Sequence, residues 1–313
     1  MPRRLRIAFL GNDAWSVPSL GAIAASRHSV ALVVTRVPKP AGRGNRLTPT
    51  PVARAARDLG LPLAEVETVR TDPGLRTLAA SRPDVLVVVA YGEILPPQVL
   101  ALPRLLPVNL HFSLLPALRG AAPVQAALLL DLPETGVTTM VMEAGLDTGP
   151  ILLQRPTPVL PEDDAGSLGA RLAELGADVL VETLDLIASG RASPVPQDHR
   201  AATVAPKLRP EDRRLDWSRP ARELVNRVRA LAPEPGAVAT FRGGRLKVLR
   251  AEAVGGSAGV EPGTVSEVDR AGFSIATGEG DLRPIELAPA GRRRMTAAEF
   301  VRGHRPVVGE RLS

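Results

Sequence analysis

Between Pro107 and Pro150 the chain reads PVNLHFSLLPALRGAAPVQAALLLDLPETGVTTMVMEAGLDTGP, and Asn109, His111 and Asp147 stand there among mostly apolar, glycine and proline residues. His111 is one of only four histidines in 313 residues. An amide can donate an N–H to a developing oxyanion, an imidazole can exchange a proton near neutral pH, and a carboxylate can orient or relieve that imidazole. Together they suit attack of a nucleophile on a carbonyl-type carbon. The residue types alone leave a plainer reading open: a strand histidine also serves a core, and an asparagine beside it can simply tie down a loop.

These side chains need elements that bring them together. In the run from Pro107, Val108, Leu110 and Phe112 alternate with Asn109, His111 and Ser113, so a short buried strand would place Asn109 and His111 side by side on one face. The Pro- and Gly-punctuated stretch from Ser113 to Gly120 is then a loop at the strand's carboxyl end, where ligands commonly meet parallel sheets. Asp147 lies far along the chain. Gly145, Gly149 and the turn-prone Asp147 itself predict a tight loop able to return a carboxylate over the strand end.

The rest of the chain predicts an α/β domain followed by a second, smaller one. Strand Leu5–Leu10, a helix near Val17–Arg27 and strand Ser29–Thr35 make a βαβ-like start. Its first turn, Gly11-Asn12-Asp13, lacks the GxGxxG fingerprint of dinucleotide binders. Val37–Pro51, carrying Lys39, Arg43 and Arg46, is too rich in Pro and Gly for regular structure and reads as a cationic loop. A helix over Pro51–Leu59, a strand over Leu61–Val66, a helix over Gly74–Ser81 and the apolar run DVLVVVA, a buried parallel strand, come next. Ile151–Leu160 reads as a strand, and a long helix opens at Asp163 or Asp164 and closes at Gly190. Residues 1–190 thus form the predicted first domain, 191–206 a linker with three prolines, and 207–313 a second domain. In the latter a helix begins near Ser218 and Pro220, five strands span Ala237–Phe241, Leu246–Val254, Thr264–Val268, Gly272–Thr277 and Leu282–Leu287, and a helix covers Ala297–Arg302. Five short strands fit an OB-like β-barrel.

Charge follows the same division. Residues 1–205 carry 19 basic and 19 acidic side chains, whereas 206–313 carry 20 and 14, so the whole excess of +6 lies in the C-terminal third. A neutral body with a basic appendage suits a polyanion, although a general enrichment in arginine accounts for it equally well. The absence of cysteine excludes disulfides and thiolate metal sites and fits a reducing cytoplasm. No apolar run approaches the roughly 20 residues of a membrane span, and no metal or membrane partner is expected.

NLHFSLLPALRGAAPVQ followed by ETGVTTMVMEAGLDTGPIL resembles the signature of the folate-dependent formyltransferases, and within them the members that act on methionyl-tRNA. The resemblance extends over essentially the whole chain and implies a Rossmann-like catalytic domain with a parallel-type sheet. It places the catalytic amide, imidazole and carboxylate on Asn109, His111 and Asp147, and the folate loop on Ser113, Leu114, Leu115 and Pro116. The turn containing Tyr91, Gly92 and Ile94 would hold the pterin through its main chain. The basic loop with Lys39, Arg43 and Arg46 would meet the acceptor arm, Arg43 matching the family's loop arginine, and KLRPEDRRLDW from Lys207 would open the tRNA-binding domain. The implied co-substrate is 10-formyltetrahydrofolate and the implied partner methionyl-initiator tRNA, bound by a cytoplasmic monomer with no DNA partner. Two departures stand out: Asn12-Asp13 where Thr-Pro is common, and Glu234 in Ala232-Pro233-Glu234-Pro235 where a Trp is common. Relatives that formylate a nucleotide-sugar amine, or that bind RNA with an inactive site, are the alternatives.

Overall fold

The structure, a computed structural model, describes residues 3–41, 44–256 and 259–313. In chain order the first elements are β1 (Arg6–Gly11), α1 (Val17–Ala25), β2 (Ser29–Arg36), β3 (Lys39–Ala41), β4 (Arg46–Thr48), α2 (Pro51–Asp58), β5 (Leu63–Val66), α3 (Asp72–Ala80), β6 (Val85–Val89), α4 (Pro97–Leu100) and β7 (Leu106–His111). They continue with β8 (Arg119–Gly120), α5 (Pro123–Leu129), β9 (Glu134–Val141), β10 (Ile151–Pro158), α6 (Ala165–Ala188) and β11 (Val204–Ala205). The remainder is α7 (Ala221–Leu231), β12 (Ala237–Phe241), β13 (Gly244–Val254), β14 (Val265–Val268), β15 (Phe273–Ala276), β16 (Asp281–Pro289), β17 (Met295–Thr296) and α8 (Ala297–His304).

Seven strands form one sheet in the order β10-β9-β7-β6-β1-β2-β5. Strands β5, β2, β1, β6 and β7 run parallel, whereas β9 is antiparallel to both β7 and β10. The parallel-type sheet expected from the sequence therefore carries an antiparallel edge. Strand β9 had no expectation at all, because ETGVTTMV mixes threonines into an apolar run and shows no clean alternation. The central strands are apolar on both faces: every residue of β6 is buried, as are Ile7 to Leu10 of β1, as a sheet covered on both sides requires.

From β1 the chain steps outward through β2 to β5, then crosses to β6 and β7 on the other side of β1. This reversal opens a crevice at the carboxyl ends of β1 and β6, the place where open α/β sheets bind ligands. The Tyr91–Leu95 turn comes directly after β6, and Asn109 and His111 occupy the carboxyl half of β7.

The stretch Val37–Pro51, expected to lack regular structure, instead contains a two-stranded hairpin in which Lys39 pairs Thr48 and Pro40 pairs Leu47. Proline is tolerated because the hairpin forms a two-stranded sheet of its own, leaving an outward edge that needs no donor. Asp164 caps α6 by accepting from Ser167 N at 2.8 Å, and Gly190 lies just past its end with φ 69°. Residues 191–206 are tied in place. Val195 bridges Ile151, and β11 runs parallel to β8.

The chain divides into two compact units, one of residues 1–123, 134–158 and 169–206, the other of 124–133, 159–168 and 207–313. The second is built on antiparallel strands in the order β12-β13-β16-β15-β14, with β17 beside β16. All five expected strands are present within two residues at each end. Its core gathers Trp217, Leu224 and Val228 with Phe241, Phe273, Ile275 and Phe300, and a Thr296–Glu299 capping box starts α8. Glu234, in place of an aromatic, pairs with Lys247 at 2.9 Å.

Candidate active site

Asn109 and His111 are alternate residues of β7, opposite Met140 and Thr138 of β9, and so share a face. The imidazole of His111 is 6% exposed, and its Nε2 lies 2.9 Å from Leu118 O. A carbonyl only accepts, so Nε2 carries the proton and Nδ1 is the nitrogen left for chemistry. Nδ1 faces Asp147 Oδ2 at 3.7 Å, too far for a hydrogen bond. Two such atoms can nevertheless both lie within about 3.2 Å of one N–H or O–H group set between them.

Asp147 has φ 53°, a left-handed conformation that Asp tolerates better than most residues. Its Oδ2 accepts from Gly120 N at 2.8 Å. The tight loop expected around it has a steric basis: a Cβ on Gly149 would come within 1.8 Å of Val141 O. Leu118 and Gly120 thus act through their backbones, one holding the imidazole and the other the carboxylate.

That strap, residues 118–120, is braced from the segment expected to be a linker. Leu118 N donates to Thr203 Oγ1 at 2.9 Å, Arg119 N to Thr203 O at 2.9 Å and Ala122 N to Ala205 O at 3.2 Å. Gly120 has φ 120°, and a Cβ there would lie 2.6 Å from Ala205 O. The Arg119 side chain reaches Gln197, whose Nε2 donates to Asp147 O and Gly149 O.

The loop Ser113–Pro116 is pinned from β9 and β10. Thr138 Oγ1 donates to Ser113 O at 2.6 Å and accepts from Leu115 N at 3.1 Å, while Gln154 Nε2 donates to Leu115 O at 2.8 Å. Ser113 Oγ donates to Ala117 O at 2.6 Å, and Leu114 lies against Gly136. In the Tyr91–Leu95 turn, Tyr91 is buried with the apolar side chains behind the sheet. Burial, then the nearby Glu93, pushes its hydroxyl pKa up. Gly92 has φ 77°, and Ile94 is 74% exposed.

Asn12, which the sequence left without a role, supports this turn. Its Nδ2 donates to Tyr91 O, and its Oδ1 accepts from Thr35 Oγ1 at 2.9 Å and Arg36 N at 2.8 Å. Arg36 also pairs with Glu93 at 2.8 Å, joining the base of the hairpin to the same turn. An asparagine just after an apolar strand was the available signal, since such a residue often satisfies backbone groups of neighbouring strands.

Asn109 Nδ2 donates to Val88 O at 3.0 Å, while its Oδ1 is buried without a hydrogen-bond partner in the protein. Leaving a buried acceptor unpaired costs about 1–3 kcal/mol, so this atom favours a ligand that donates. Lys39 and Arg46 are exposed on the hairpin and Lys207 is exposed in the second unit; Arg43 lies outside the described residues. Among the described residues no cluster of three or more His, Asp or Glu could hold a metal, and no helix is long and apolar enough to cross a membrane.

A family model described as formyl transferase matches residues 5–184, and one described as formyl transferase, C-terminal domain, matches 207–305. The chain is 47% identical over 311 residues to a methionyl-tRNA formyltransferase of Roseiflexus sp. (strain RS-1), covering 98% of this chain and 95% of that one. It is 47% identical over 310 residues to the methionyl-tRNA formyltransferase of Roseiflexus castenholzii, covering 98% and 99%. In fold it resembles HypX of Aquifex aeolicus, whose structure was solved with tetrahydrofolic acid, at a TM-score of 0.66 and 19% identity, over 98% of this chain and 49% of that one. Matched along both its units, the chain belongs to the formyl transferase family.

Proposed function

We propose that this chain transfers the formyl group of 10-formyltetrahydrofolate to the free α-amine of methionyl-initiator tRNA. The observation that carries the reading is likeness along the full length, both units included, to proteins named for that activity. Residues 1–190 supply the catalytic side chains, 191–206 connect the two domains in sequence, and 207–313, as an OB-like barrel, bind tRNA. Lys39, Arg43, Arg46 and Lys207 meet the phosphate backbone. The protein works in the cytoplasm as a monomer, without DNA or membrane partners.

10-Formyltetrahydrofolate supplies a formyl carbon already activated on nitrogen, so no metal is required. The residues present suit it: the partnerless Asn109 Oδ1 seeks a donor, and Tyr91, Gly92 and Ile94 lie on the turn after β6. The Ser113–Pro116 loop, held by Thr138, lines the other side of the folate. As the amine attacks, the second N–H of Asn109 Nδ2, the one not given to Val88 O, stabilises charge developing on the formyl oxygen. His111 Nδ1 and Asp147 Oδ2, close enough to share one donor, hold the amine and take its proton, directly or through water. The tetrahedral adduct then collapses by breaking the bond from the formyl carbon to N10, and the proton passes on to that nitrogen as tetrahydrofolate leaves.

The test is transfer of radiolabelled formyl from 10-formyltetrahydrofolate to methionyl-initiator tRNA, with free methionine and an aminosugar nucleotide as competitors. Label in the tRNA fraction is the expected result. Label only on the sugar would reassign the acceptor.

A further inference from the structure

We infer that Gln197, from the segment that reads as a linker, is a positioning residue for Asp147; the inference rests on the formyl-transfer reading above. Gln197 is buried, 6% exposed. Its Oε1 receives two hydrogen bonds from Arg119, at 3.1 Å from Nε and 2.6 Å from Nη2. Its Nε2 donates to Asp147 O at 2.9 Å and Gly149 O at 2.7 Å. A guanidinium only donates and a carbonyl only accepts, so the amide has a single orientation, with its two N–H groups spent on the catalytic loop. Arg119 is itself 8% exposed, and its Nη2 also reaches His199 Nδ1 at 3.1 Å.

These contacts fix the loop at more than one point. Asp147 keeps a left-handed backbone that costs energy unless its surroundings impose it. Gly120 N holds one carboxylate oxygen and Val141 N donates to Pro150 O at 2.9 Å, but neither bond holds the main chain of Asp147 itself. Gln197 adds two fixed points on the main chain, either side of Thr148. Arg119 lies between Leu118, which holds His111, and Gly120, which holds Asp147. Through Arg119, Gln197 therefore ties the carboxylate to the frame that holds the imidazole. Displacing a reacting group by about 1 Å can cost on the order of 100-fold in rate.

The test uses the full-length protein and the variants Gln197→Ala, Gln197→Glu, Asp147→Ala and Gln197→Ala with Asp147→Ala. Gln197→Glu keeps the pairing with Arg119 and safeguards folding, but sets an acceptor against two carbonyls. The expected result for both Gln197 variants is a fall in kcat of roughly 10- to 100-fold, with KM for tRNA and folate changed less than about threefold. In the Asp147→Ala background Gln197→Ala should add almost nothing, because both act through one group. Hydrogen exchange gives a readout independent of activity: residues 118–122 and 145–150 should exchange faster in either Gln197 variant, with the remainder unchanged. Full kcat in Gln197→Glu, additive losses in the double variant, or unchanged exchange at 145–150 would each overturn the positioning role. A wild type that transfers no formyl group would overturn the functional reading instead, and the exchange result would still decide whether Gln197 fixes the loop.

Discussion

His111 is anchored by a backbone carbonyl rather than by the carboxylate beside it. With Nε2 committed to Leu118 O, loss of the ring removes the proton-exchanging Nδ1 while leaving the strand intact. His111→Ala is expected to lower kcat by about 10²- to 10⁴-fold, and Asn109→Ala by about 10²- to 10³-fold, both read as single-turnover transfer to methionyl-tRNA with unchanged thermal midpoints as the control. At this scale the sequence was informative about side chains and silent about their partners. A polar triplet in an apolar stretch can be seen in a string of letters. The hydrogen bonds that Leu118 O accepts and Gly120 N donates cannot, because nearly every residue has these groups.

Among the elements, the short β8–β11 pairing does more for the site than its length suggests. A Cβ on Gly120 would press on Ala205 O, at a φ that side chains rarely adopt, so Gly120→Ala is expected to destabilise the protein by about 1–3 kcal/mol in urea denaturation and to lower kcat by moving the strap. A dependence of stability on pH arises at α6, which brings Asp185 to within 3.2 Å of His28 Nε2. Burial holds the His28 imidazole below its ordinary value of 6.5, with Asp185 pulling upward and Arg27 adding to the depression. The unfolded chain therefore binds this proton first as pH falls. The contribution is whole above about pH 6.5 and is lost as pH drops through the lower folded value. His28→Gln should flatten that limb of a plot of urea midpoint against pH. The elements themselves were mostly visible in the sequence, by apolar runs, alternation and caps. The exceptions were β9, whose threonines mask its pattern, the hairpin of β3 and β4, whose turn-forming composition reads as irregular, and α4, α5, β8, β11 and β17, which are too short to show a period.

Over the whole molecule, the net positive charge lies in residues 206–313, and the hairpin of β3 and β4 adds exposed cations to the first unit. Lys39 and Arg46 are exposed there and contribute affinity rather than chemistry in the proposed reaction. The double variant Lys39→Ala, Arg46→Ala is expected to raise KM for methionyl-tRNA, leave kcat within about twofold, and reduce the slope of log Kd against log salt by about 2. Filter binding across a salt series measures the slope. An unchanged slope would remove both residues from the tRNA contact.

By itself the sequence determined the two-part order of the chain, the parallel apolar core and the five C-terminal strands, because each is written in local periodicity or in residue type, and it singled out the side chains proposed to react. Only the tertiary structure decided what holds those side chains in register. His111 leans on Leu118, Asp147 on Gly120 and Gln197, and the Tyr91–Leu95 turn on Asn12. Each of these bonds uses a backbone group, and those to Asp147 and the Tyr91–Leu95 turn join positions well separated in the chain. Such bonds depend on how the sheet and its loops close in space, and their backbone partners leave no pattern in the order of residues.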